Sequence, residues 1–146
     1  MMLYDAETLL VIAHVFDQLK HTYFSDMSIT IHYNDRKFLA KLLDHYPQKT
    51  ELYSLFDKYY KIGKEAFEQE LNTLLGKEQA EIVLQGIANP DKNSELIELE
   101  ALLDKMNSKK LHIVFDPFIT RGLDYYTGMV YETFFDDDMA LGSISS

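Results

Sequence analysis

Residues 120–128 read TRGLDYYTG, so Arg121, Asp124, Tyr125 and Tyr126 bring a cation, a carboxylate and two phenols together between Gly122 and Gly128. A guanidinium is permanently charged and presents a planar fork of donors that matches a carboxylate or a phosphate. Placed where charge builds up on a transferring phosphoryl group, it stabilises the transition state electrostatically. Phenol hydroxyls donate or accept, and so can hold an imidazole or an amide in one tautomer or orientation. The glycines allow close backbone approach or positive φ. Such a cluster suits a small zwitterion or an activated phosphoester. The same residues also fit a plainer arrangement. Arg121 and Asp124 could form an ion pair beside a turn, with Tyr125, Tyr126 and Tyr131 as ordinary strand aromatics. Residue types alone do not identify a ligand.

The elements around this stretch follow from periodicity. Asp5 is expected to cap a first helix whose apolar residues Leu9, Ile12, Ala13, Phe16 and Leu19 recur at helical spacing. From Met27 to Asn34 the period changes to two, predicting a half-buried strand. Met27, Ile29, Ile31 and Tyr33 would lie on its apolar face, and Ser28, Thr30, His32 and Asn34 on its polar one. Asn34 or Asp35 starts a helix carrying Phe38, Leu39, Leu42, Leu43 and Tyr46 on one stripe, limited by Pro47. Residues 48–108 read as helix throughout, punctuated at Gly63, Gly76 and Asn89-Pro90. Two strands are expected at Leu111–Asp116 and Met129–Phe135, with Asp136 to Asp138 as a turn and a further strand from Ala140. The expected class is α+β, with helices segregated from an antiparallel sheet. The expected division is 1–47 as helix–strand–helix, 48–109 as a helical insertion, and 110–146 as a strand meander carrying the polar cluster.

At 47% hydrophobic residues in 146, the chain can bury a core and is not a disordered segment. It has no cysteine, which excludes disulfides and thiolate metal sites. The net charge of −10 argues against a main nucleic-acid-gripping face, because such faces displace counterions with Lys and Arg. The five histidines show no HxxxH or HExxH spacing, so no metal site is expected, and no P-loop pattern is present. The apolar start is neither a signal peptide nor long enough to span a bilayer.

The run from Arg121 to Glu132, RGLDYYTGMVYE, resembles the histidine-binding motif of histidyl-tRNA synthetases at all twelve positions. Asp5-Ala6-Glu7 is similar to the DAE that opens the helix after the second class II signature motif. Ile29 to Asn34, then Arg36, resemble the strand before the family's insertion. Leu141 to Ile144 resembles the approach to a glycine-rich GGRYD segment.

The resemblance implies a class II synthetase fold: an antiparallel active-site sheet, an inserted helical subdomain, and an anticodon-binding domain in a homodimer. It implies activation of histidine with ATP and Mg²⁺ to the adenylate, then transfer to tRNA(His), in the cytoplasm and with no membrane partner. By the same resemblance Arg121 is the catalytic arginine that contacts the α-phosphate and the histidine carboxylate. Tyr125 and Tyr126 frame the histidine, with Tyr126 as the direct imidazole partner, and Asp124 anchors the motif. An ideal strand aims Tyr125 and Tyr126 at opposite faces, so either the backbone bulges there or one tyrosine acts through another residue. The chain is expected to be an internal fragment that does not charge tRNA alone and holds no tightly bound cofactor. Three other readings stand beside it. They are a synthetase-like regulatory paralogue of histidine biosynthesis that senses histidine, a synthetase-like region of a kinase that senses uncharged tRNA, and an all-helical interaction domain.

Overall fold

A computed structural model describes residues 2–23, 28–105, 111–120 and 128–135. In chain order the elements are α1 (Met2–Tyr23), β1 (Ile29–Asp35), α2 (Arg36–Leu43), α3 (Lys49–Asp57) and α4 (Tyr59–Ile62). Then follow α5 (Lys64–Leu75), α6 (Lys77–Ala88), α7 (Ser94–Asp104), β2 (Leu111–Phe115) and β3 (Met129–Phe135). They fall into two compact units. One combines Met1–Tyr33, Asn93–Phe115 and Tyr131–Ser146; the other combines Asn34–Lys92 and Asp116–Val130. Helix α7, expected within the helical insertion, thus belongs to the unit that holds β2.

In the first unit the period-two pattern of β1 becomes burial. Ile29, Ile31 and Tyr33 are buried while Thr30 and His32 are half-buried. Leu9 and Ala13 of α1 and Leu96, Leu99 and Leu103 of α7 are also buried, and the two helices pack together. Asp5 lies inside the first turns of α1 rather than at its cap, because the helix begins at Met2. Leu10, Val11 and Val15 of α1 are exposed, so its apolar surface is wider than the single stripe read from spacing, and Leu19, expected on that stripe, is exposed as well.

The sheet order is β2-β1-β3. Strands β1 and β2 run parallel, with Ile29 opposite Leu111, Ile31 opposite Ile113 and Tyr33 opposite Phe115. The sheet thus contains a parallel pair where wholly antiparallel neighbours were expected. β1 separates β2 from β3, so those two are not hairpin neighbours. A parallel pair needs a long crossover, and the helices between β1 and β2 in the chain supply that length.

The Tyr33 hydroxyl interacts with Glu100 of α7, and burial, with the Glu100 and Asp104 charges, pushes its pKa far upward. A phenol that stays protonated in the fold but ionises in the unfolded chain withdraws stability as pH rises above about 10. Alkaline unfolding curves for the wild type and Tyr33→Phe should therefore differ in slope above that pH. The variant should lose less stability there; identical slopes would show that Tyr33 does not contribute.

In the second unit, α2 packs on α3 and α6, and α5 packs on α3, α4 and α6. Asp35 caps α2, its side chain accepting from the Lys37 N–H, as the sequence suggested. Phe38, Leu39, Leu43, Leu52, Leu55, Phe56, Phe67, Leu71 and Val83 are buried, as their helical stripes require. Gly86 marks the close approach of α6 to α2, since a Cβ there would meet Leu42 Cδ1 at 2.6 Å.

Gly63 and Gly76 each end one helix and cap the next, at φ 83°, ψ 167° and φ 78°, ψ 158°. That region is open essentially to glycine alone. A Cβ would meet nothing within 4 Å at either site, so the cost of Gly63→Ala or Gly76→Ala is backbone strain without a clash. Each variant should lose about 1–3 kcal/mol in denaturant unfolding. Unchanged midpoints would mean that the corners relax.

Candidate functional site

The predicted site residues Arg121, Tyr125 and Tyr126, with Asp124, lie outside the described residues, as do Asp136 to Asp138. The structure describes both flanks of the 121–127 segment: Asp116–Thr120 before it and Gly128–Phe135 after it.

The leading flank, Asp-Pro-Phe-Ile-Thr, is held within the second unit by side chains from three elements. Phe118 stacks face to face on Tyr59 of α4, with centroids 3.5 Å apart and planes at 2°. Phe56 of α3 and Phe67 of α5 meet the same ring at 5.4 and 5.3 Å. Such aromatic contacts add directional preference to apolar burial. Asp116 is buried and accepts a hydrogen bond from the Tyr60 hydroxyl. Its other carboxylate oxygen accepts from the Phe118 N–H at 2.9 Å, shaping the turn at Pro117. Thr120, immediately before Arg121, donates from its hydroxyl to Asp57 at 3.3 Å.

The end of β1 meets both flanks. Asn34 is fully buried, and its amide donates to the carbonyls of Pro117 at 3.2 Å and Ile119 at 3.0 Å. Two residues on, the Arg36 N–H donates to the Gly128 carbonyl at 3.1 Å. Asn34 was expected on the polar face of a half-buried strand; it is buried because the 117–119 backbone supplies its partners. After Gly128 the motif continues into β3, where Val130 is buried in the second unit and Glu132 in the first, while Tyr131 is half-buried.

Sequence reasoning gave none of Asn34, Asp57, Tyr60, Asp116, Phe118 or Thr120 a part in holding the motif's flanks. The available signal was Asp116-Pro117, an Asp–Pro turn directly before the motif. Of the two strand histidines, His32 packs edge-on against Phe134 at 4.9 Å, and His112 is exposed. Among the described residues no three His, Asp or Glu side chains are grouped to hold a metal ion. No helix among them is long and apolar enough to cross a membrane.

The mixed α+β fold is that of a class II aminoacyl-tRNA synthetase catalytic region. Its likeness to the crystal structure of histidyl-tRNA synthetase from Nostoc sp. PCC 7120 has a TM-score of 0.77 at 25% identity. That likeness covers 99% of this chain and 39% of that one. The family model described as histidyl-tRNA synthetase matches residues 19–141. The chain belongs to the histidyl-tRNA synthetase family. It is 31% identical over 145 residues to the histidine–tRNA ligase of Nanoarchaeum equitans, covering 94% of this chain and 33% of that protein. To that of Clostridium acetobutylicum it is 32% identical over 136 residues, covering 77% and 32%. The chain thus spans about a third of the length of these curated relatives.

Proposed function

We propose that this chain is the part of a histidine–tRNA ligase that carries the histidine-binding segment. The longer protein would activate histidine with ATP to histidyl-adenylate and transfer it to tRNA(His). The observation that supports this reading is the unbroken RGLDYYTGMVYE run, residues 121–132, in a chain of this family. In it Arg121 bridges the histidine carboxylate and the α-phosphate, neutralising charge as the adenylate forms. Tyr125 and Tyr126 frame the bound histidine, with Tyr126 nearest the imidazole, and their hydroxyls fix its tautomer. Under this reading the chain's share of the chemistry rests on Arg121, Tyr125 and Tyr126. The net charge of −10 leaves tRNA binding to other surfaces of a cytoplasmic homodimer.

Histidine-dependent exchange of pyrophosphate into ATP tests this. The full-length protein containing the segment should exchange with histidine and with no other amino acid. The 146-residue chain alone should show none. A full-length protein that binds histidine without exchange would instead be the regulatory paralogue.

A further inference from the structure

Asn34 and Arg36, separated in the chain only by Asp35, each touch one flank of the 121–127 segment. Asn34 reaches the leading flank at two carbonyls, and the Arg36 backbone reaches the trailing flank at Gly128. Two residues of chain span at most about 7 Å, so the two flanks are brought to neighbouring points. We infer that Asn34 is a positioning residue that, with the Arg36 backbone, fastens both described flanks of the motif, Pro117–Ile119 and Gly128, to the end of β1. That this serves the histidine-binding residues between them rests on the proposed function; the fastening does not.

The chemistry of the side chain fits this task. A carboxamide has two N–H donors and one carbonyl acceptor. In Asn34 the NH₂ group donates to two carbonyls, and Oδ1 accepts from the Asp35 N–H at 2.9 Å. Aspartate has the same shape but no donor when ionised, and glutamine is one methylene too long. Asp35 in turn caps α2, which anchors the start of that helix at the same point. Fixing the flanks of a motif is the kind of preorganisation that a site with several converging groups needs.

The test is amide hydrogen exchange of the 146-residue chain without added histidine, comparing wild type, Asn34→Ala and Asn34→Asp. Protection of the Arg36, Phe118 and Ile119 amides should fall about tenfold or more in Asn34→Ala. Gly76 and Ala80, whose amides are bonded at the α5–α6 corner, should change by less than about twofold. In Asn34→Asp the same local loss should appear at neutral pH, where a carboxylate faces two carbonyl oxygens. It should be partly reversed on acidification, because burial raises the carboxyl pKa and the protonated form donates again. Equal protection in all three proteins would overturn the inference. So would a uniform loss that reaches Gly76 and Ala80 in both variants, which would make Asn34 an ordinary core residue. Failure of the full-length protein to exchange pyrophosphate with histidine would count against the proposed function and leave this result standing.

Discussion

Phe56→Ala is expected to destabilise the chain by about 3–5 kcal/mol, the range for truncating a fully buried phenylalanine. Phe56 has no exposed surface and meets Phe67 edge-on at 5.3 Å and Phe118 at 5.4 Å. Leu52, Leu55 and Leu71 are buried in the same unit. Removing the ring forfeits its transfer free energy and leaves a cavity that stiff aromatic neighbours fill poorly. Phe56→Leu retains most of the volume and should cost distinctly less. Urea unfolding followed by circular dichroism measures both, the chain having no tryptophan. A loss below about 1 kcal/mol for the alanine variant would mean that the site collapses around the missing ring. Because Phe118 lies three residues before Arg121, the same variant should also loosen the leading flank of the motif.

The local elements were legible because their signals are local. Ile29, Ile31 and Tyr33 alternate because a strand has period two, and they are buried as that period demands. Asp35 caps α2, and Gly63 and Gly76 break helices, for reasons contained within a few residues. The pairing of β1 with β2 was not legible. An alternating pattern says which face is buried but not which strand lies alongside or in which direction. The parallel register depends on where some 75 residues of intervening chain return Leu111 relative to Ile29. The exposure of Leu10, Val11 and Val15 was not legible because spacing assigns one stripe cleanly only when the remaining positions are polar, and in α1 these three are not.

The chemistry of the site was legible only as a motif. Arg121, Tyr125 and Tyr126 could be named from their residue types and from the resemblance. The groups that hold the flanks could not. Asn34 meets Pro117 and Ile119 across 83 and 85 residues, and Thr120 meets Asp57 across 63. A polar residue at the end of a strand gives no sign in sequence that its partners lie so far along the chain. Its burial without an unsatisfied donor is visible only in the fold, where an unpaired carboxamide would have been costly.

Arg121→Ala in the full-length protein is expected to lower histidine-dependent ATP–pyrophosphate exchange by at least about a hundredfold in kcat, the scale for removing one electrostatic stabiliser of a developing oxyanion. Under the proposed function Arg121 holds the carboxylate that attacks and the phosphate on which charge accumulates. Its loss should therefore appear more strongly in kcat than in the KM for histidine, since ground-state binding keeps its other contacts. Arg121→Lys separates charge from shape. It retains a cation but not the planar fork, so it should recover only part of the rate if bidentate contact matters. Full recovery in the lysine variant would reduce Arg121 to a point charge. A rate unchanged by alanine would remove it from the adenylation site and favour the structural pairing with Asp124. Thermal unfolding of both variants distinguishes that pairing from catalysis. An exposed ion pair contributes roughly 0–1 kcal/mol, too little to mimic a hundredfold kinetic loss through unfolding of a stable protein.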